Sequence, residues 1–129
     1  MGKAALVETD IKEGKALLSG LDDANLGITA ALWFYFSDSN EWRLLLATRQ
    51  VDDEGPKKVY ERVQSQLETL KGKITQLSLQ DISIVSPTDK LVTLLKPVIN
   101  TGPGISGIRF TRNVIKNLVI EDAYIYRMS

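Results

Sequence analysis

The chain has 129 residues, with 16 Lys or Arg balanced by 16 Asp or Glu, so its formal net charge is zero. Leu, Ile, Val and Phe make up close to a third of it, enough for a core that needs no metal or disulfide for stability. Cys and His are both absent, which removes the usual zinc sites, thiol catalysis, Ser-His and Cys-His dyads, His-ligated haem and any His-based pH switch.

The N-terminal stretch carries Glu8, Asp10 and Glu13 and has no apolar run. It is expected to be neither a secretory signal nor a transit peptide, and a cytoplasmic location follows as an expectation. Myristoylation of Gly2 would want Ser or Thr where Leu6 stands. The longest uncharged run, Ala24 to Ser37, falls short of the roughly 20 residues a membrane helix needs.

Val7, Ile11, Leu18 and Leu21 fall near helical spacing with charged residues between them, which predicts a helix over residues 4–24 ending at Gly20 or Asn25. Ile28 to Phe36 and Trp42 to Thr48 read as a β-hairpin around Ser37 to Asn40, with Tyr35 opposite Trp42. Both faces of this hairpin are apolar, so both are expected to be covered. A second helix begins at Pro56, carries Val59, Val63, Leu67 and Leu70, and is expected to stop at Gly72. A strand from Leu79 to Val85 leads to Ser86-Pro87-Thr88-Asp89, read as a capping box with Ser86 at the N-cap of a third helix that ends near Pro97. After the loop Asn100 to Gly104, Ile105 to Ile115 and Leu118 to Arg127 form a final hairpin turning at Lys116-Asn117.

These elements predict an α+β fold: a single domain over residues 1–129, in the order α-β-β-α-β-α-β-β. It has one mixed sheet of about five strands and three helices, with two helix-containing connections able to form parallel crossovers.

Chemistry-bearing motifs are few. Gly102 to Gly107 spells G-x-G-x-x-G, but it follows a helix and enters a strand, the reverse of what a dinucleotide site requires. Acidic residues cluster at Asp22-Asp23, read as a solvated helix end, at Asp52-Asp53-Glu54 and at Glu121-Asp122. Charge is polarised: residues 1–56 carry five more acids than bases and residues 57–129 five more bases than acids. Lys90, Lys96, Arg109, Arg112 and Lys116 follow one another with no acid between, a candidate anion-binding stretch.

The Lys116-Asn117 turn fixes the register of the last hairpin. It places Ile108, Phe110, Val114, Val119, Ala123 and Ile125 on one face, around an Arg112-Glu121 pair. Arg109 opposite Tyr124, Thr111 opposite Asp122, and Tyr126 occupy the other. That second face, polar and aromatic, is the candidate ligand or partner surface: Arg109, Thr111, Asp122, Tyr124 and Tyr126, with Arg109 stacking on Tyr124. Trp33, Tyr35 and Trp42 are the candidate interface residues.

The function expected is a non-catalytic interaction or oligomerisation module, a homodimer or the receptor of a protein partner. The alternative is binding of a phosphate ligand or nucleic acid through residues 90–116. In its catalytic form this would be a Mg²⁺-dependent phosphoesterase, with Glu121 and Asp122 holding the metal and Arg109 or Arg112 the phosphate. No catalytic residue is singled out, and no resident cofactor, metal site or membrane association is expected.

Overall fold

The aromatic and β-branched run Ile28–Phe36 forms β1, and Glu41–Thr48 forms β2. They pair antiparallel with Tyr35 opposite Trp42 and Phe36 opposite Glu41, the register that the four-residue loop dictates. The computed structural model describes residues 2–129. Its remaining strands are β3 (Ile82–Val85), β4 (Ile108–Ile115) and β5 (Leu118–Met128). Together they make one mixed sheet in the order β3-β2-β1-β5-β4. Only β2 and β3 are parallel. The second helix-containing connection carries the chain from β3 at one edge to β4 at the other, so of the two connections able to form a parallel crossover one does.

Among the described residues four α-helices accompany the sheet: α1 (Glu8–Asp23), α2 (Gln50–Glu54), α3 (Pro56–Thr69) and α4 (Lys90–Leu95). The acidic break Asp52-Asp53-Glu54 turns out to lie in the short α2, where acids in the first turn suit the helix dipole. Helix α1 begins later than its apolar spacing predicts, because the Asp10 carboxylate accepts the Val7 N–H and caps the first turn there. It runs through Gly20, and Asn25 takes the left-handed conformation beyond its end. Helix α3 stops at Thr69, ahead of Gly72. The residues Leu79–Asp81 form a 3₁₀ turn in place of the start of a strand.

The expected capping box does not form, and the N-cap lies three residues later. Asp89 is the N-cap of α4, its Oδ2 accepting from the Leu91 N–H, while Ser86 Oγ accepts from Thr88 N–H and donates to Asp52. The rigid ring of Pro87 thus sits in the turn before the helix.

Both sheet faces are covered. On one, Leu17, Leu18 and Leu21 of α1 and Val59, Val63 and Leu67 of α3 pack on Trp33, Leu44 and Leu46. On the other, Val92 and Leu95 of α4, with Ile99, cover Leu32, Phe34, Leu45 and Ile125. Fully burying one such side chain contributes about 1.5–3 kcal/mol. No helix among the described residues is long and apolar enough to cross a membrane.

The β4-β5 turn is as the sequence predicts, with Lys116 and Asn117 both at positive φ and Ile115 facing Leu118. The face assignment beyond it requires correction. Arg112 also sits at positive φ, 49°, and the Arg112-Glu121 step is missing from the ladder. A left-handed residue within a strand interrupts the alternation of side chains. Ile115 and Ile120 therefore join Ala123 and Ile125 in the core, while Val114 and Val119 are 68% and 61% exposed.

Two buried polar clusters tie elements together. Tyr126 Oη accepts from Trp33 Nε1 at 3.0 Å and donates to the Ile11 carbonyl at 2.6 Å. Burial pushes this phenol well above its ordinary pKa, an effect that the Trp33 donor opposes only in part, so it stays neutral and able to donate. Gly14 makes room for it, since a Cβ there would collide with the phenol oxygen. In the second cluster Glu13 accepts the N–H groups of Thr75, Gln76 and Leu77 at 2.8–2.9 Å, fastening the α3-β3 connection to α1.

Two outcomes test this core. Gly14→Ala is expected to destabilise the protein by about 3 kcal/mol, the upper end of overpacking costs, measured by urea unfolding. Burial alone would raise the Glu13 pKa, but the donors from Thr75, Leu77 and Gln76 outweigh it and the net shift is downward from the ordinary 4.5. Its stabilisation is therefore complete above that ordinary value and lost as pH falls through the depressed folded one. Glu13→Gln should cost about 2 kcal/mol at neutral pH and flatten the acid limb of stability against pH.

Candidate functional site

Where β1 and β2 end at their hairpin, α1 no longer roofs the first sheet face, and the β4-β5 hairpin rises beside it. An open concavity of about 690 Å³ lies there, lined by Tyr35, Trp42, Thr111, Arg112, Glu121 and Asp122. Tyr35 and Trp42 are cross-strand neighbours whose rings sit 5.5 Å apart. Trp42 is flanked at the strand edge by the N-terminal segment, which pairs with it as an antiparallel bridge: Lys3 N–H donates to its carbonyl, and its own N–H donates to the Lys3 carbonyl. The Lys3 ammonium in turn stands 3.4 Å from Asp10 and 3.5 Å from Asp81, both buried carboxylates.

Arg109 and Tyr124 pair as predicted, yet the guanidinium does not stack on that ring. Its Nε and Nη2 donate to the two oxygens of Asp122 at 2.6 and 2.7 Å. Its carbon lies 5.7 Å from the centroid of Trp42. This hydrogen bonding to Asp122 outweighs the opposing effect of burial and raises the Arg109 pKa still further, so the charge is permanent. The two-point pair and the indole hold Arg109 in one orientation, with two of its donor groups turned inward.

The expected residues divide between this surface and the core. Thr111 and Asp122 line the concavity, Arg109 borders it, and Tyr35 is half-buried in its wall. Tyr124 packs edge-on against Tyr126 and abuts Gly107. Tyr126 is buried at 1% exposure because its hydroxyl serves α1. Trp33, fully buried, and Trp42, at 5%, belong to the intramolecular core beneath α1 and the N-terminal segment. Of the expected interface trio, Tyr35 alone keeps a usable surface.

Arg112 and Glu121 enter the same concavity as Asp122, although strict alternation would put them on the opposite face. Only the left-handed Arg112 produces this, and nothing in the sequence marks an arginine for that conformation.

The basic stretch does not form one surface. Lys90 lies on α4 and Lys96 just after it, over the second sheet face, whereas Arg109 lies on the first. The glycine loop is tied to β5 through a Gly102-Met128 bridge and an Arg127 Nε donor to the Gly104 carbonyl, and no helix follows it. Asp22 is not a solvated helix end, since it receives two hydrogen bonds from the buried Arg127. Among the described residues no group of three or more Asp, Glu, His or Cys is disposed to hold a metal ion.

Comparison of the chain with protein-family models, with curated proteins and with solved structures returned no match.

The Arg109-Asp122 pair is partly exposed, 46% and 26% at the side chains, and solvent screening makes such pairs and their cation–π contacts weak. Arg109→Ala should therefore cost no more than about 1 kcal/mol, or about 4 °C in Tm. A thermal melt showing a loss of several kcal/mol would mean that this face is covered by something outside the chain.

Proposed function

We propose that the protein is a non-catalytic interaction module that receives a protein partner in the concavity beside the β4-β5 hairpin, within the cytoplasm. The observation that carries this is the make-up of that surface: the half-buried ring of Tyr35, backed by the buried Trp42, beside a rim holding both signs of charge, Arg112, Glu121 and Asp122. Surfaces that combine aromatic area with oriented polar groups are suited to binding, and the fixed Arg109 reduces the ordering that binding would demand. A homodimer through Trp33 and Trp42 is not put forward, because those residues are used internally. Mg²⁺-dependent phosphoester chemistry draws less support, because both Asp122 oxygens are already engaged by Arg109.

Selection from a displayed random-peptide library tests the proposal. Enriched peptides should bind the intact protein and lose at least about tenfold in affinity, or about 1.4 kcal/mol, on Thr111→Arg or Glu121→Lys. Both positions are exposed, so thermal stability should hardly move. No enrichment, or enriched peptides indifferent to both substitutions, would end the proposal.

A further inference from the structure

The two edges of the sheet are finished differently. The β3 edge is four residues long and closed by side chains: Ile84 N–H donates to Tyr60 Oη, and the Ile82 carbonyl accepts from Arg43. The β4 edge is eight residues long, and all but Phe110 and Ile115 are exposed. Among the described residues, its backbone makes no bond beyond β5 except at the Thr111 carbonyl, which accepts from Asn113 Nδ2. Such an edge offers a row of donors and acceptors to an incoming strand.

Charge says what that strand should be. β4 and its turn carry Arg109, Arg112 and Lys116 with no acid. Asp122 neutralises Arg109, while Arg112 and Lys116 have no ion-pair partner among the described residues. Glu121, one strand inward, is the remaining acid of β5. A second copy pairing β4 against β4 would bring the unpaired Arg112 and Lys116 of both copies to one ladder, and like charges across a ladder repel. An acidic segment meets the opposite sign.

Arg112 also limits the length of pairing. At φ 49° it breaks the straight run of the edge, leaving Ile108 to Thr111 as the regular stretch beside the concavity.

Resting on the interaction reading above, we propose that β4 accepts an extended acidic segment of another protein by strand addition. The segment pairs along Ile108 to Thr111 and sets its carboxylates toward Arg112 and Lys116. Its side chains on one face then fall beside Thr111, which lines the concavity, so the edge and the concavity meet at that residue.

The probe is a capped peptide of alternating valine and glutamate, compared with its valine-lysine counterpart and with a valine-glutamate peptide N-methylated at alternate residues. The first should bind, weaken as salt is raised, and slow amide exchange in Ile108 to Thr111 while leaving β3 unchanged. N-methylation should cost at least tenfold. Arg112→Gly, which suits the left-handed backbone, should keep the fold and weaken binding several-fold. Equal binding of the lysine peptide, indifference to N-methylation, or unchanged β4 exchange would overturn the inference. So would concentration-dependent protection of β4 without peptide, which would identify a second copy as the occupant. Library-selected peptides that bind the concavity while β4 exchange stays unchanged would sink strand addition and leave the interaction reading standing. If neither probe nor library binds, both fall.

Discussion

The phenol oxygen of Tyr126 joins three elements far apart in the chain: β5, which carries it, β1 through the Trp33 indole, and α1 through the Ile11 carbonyl. Removing a hydroxyl and an indole N–H from water is costly unless each finds a partner. Here each partners the other, and the carbonyl takes the remaining proton. The depth of α1 against the sheet is set by this arrangement, because only glycine at position 14 lets the helix approach so closely. Once α1 is placed, its N-terminal lead pairs alongside Trp42 at the edge of β2, and the concavity lies beyond it.

Ionic side chains reinforce the same layer. Glu13 holds the chain leaving α3, and the buried Arg127 spans Asp22 at the end of α1 and the Ile28 carbonyl at the start of β1. Each is buried with most of its hydrogen-bonding capacity engaged, which is the condition under which burying charge is tolerated. A zero net charge and an acidic first half say nothing of these pairings. Three such acids, Asp10, Glu13 and Asp22, lie in α1, and their partners come from Lys3 of the N-terminal segment, from the connection after α3 and from β5.

The elements themselves were largely legible. Aromatic and β-branched content and a polar tetrad placed the first hairpin in its correct register, and Lys116-Asn117 placed the last turn, because both signals are local. What could not be read came from tertiary context. Asp10 and Glu13 look like solvent-facing helix acids until the Lys3 and Thr75–Leu77 segments arrive to meet them. Trp33 and Trp42, residue types common in interfaces, are consumed by the chain's own helix layer. The candidate site was half visible: Arg109, Thr111 and Asp122 follow from the turn register. Arg112 and Glu121 reach the same side only through a backbone conformation that arginine seldom adopts.

The strand order also sets a timetable for folding. β1 lies at the centre of the sheet, flanked on one side by β2, its neighbour in sequence, and on the other by β5, synthesised last of the strands. The apolar hairpin Ile28 to Thr48 exists on the growing chain well before β5 can complete the ladder beside it. During that interval the unpaired side of β1 is an open strand edge, with Ala31, Leu32, Trp33 and Phe34 in its run. Closing the ladder requires a loop spanning most of the chain, and such non-local pairing is slow because chain entropy is lost before the contacts reward it. Self-association of nascent or refolding chains should therefore nucleate at β1, a segment that the finished molecule hides completely between two neighbours.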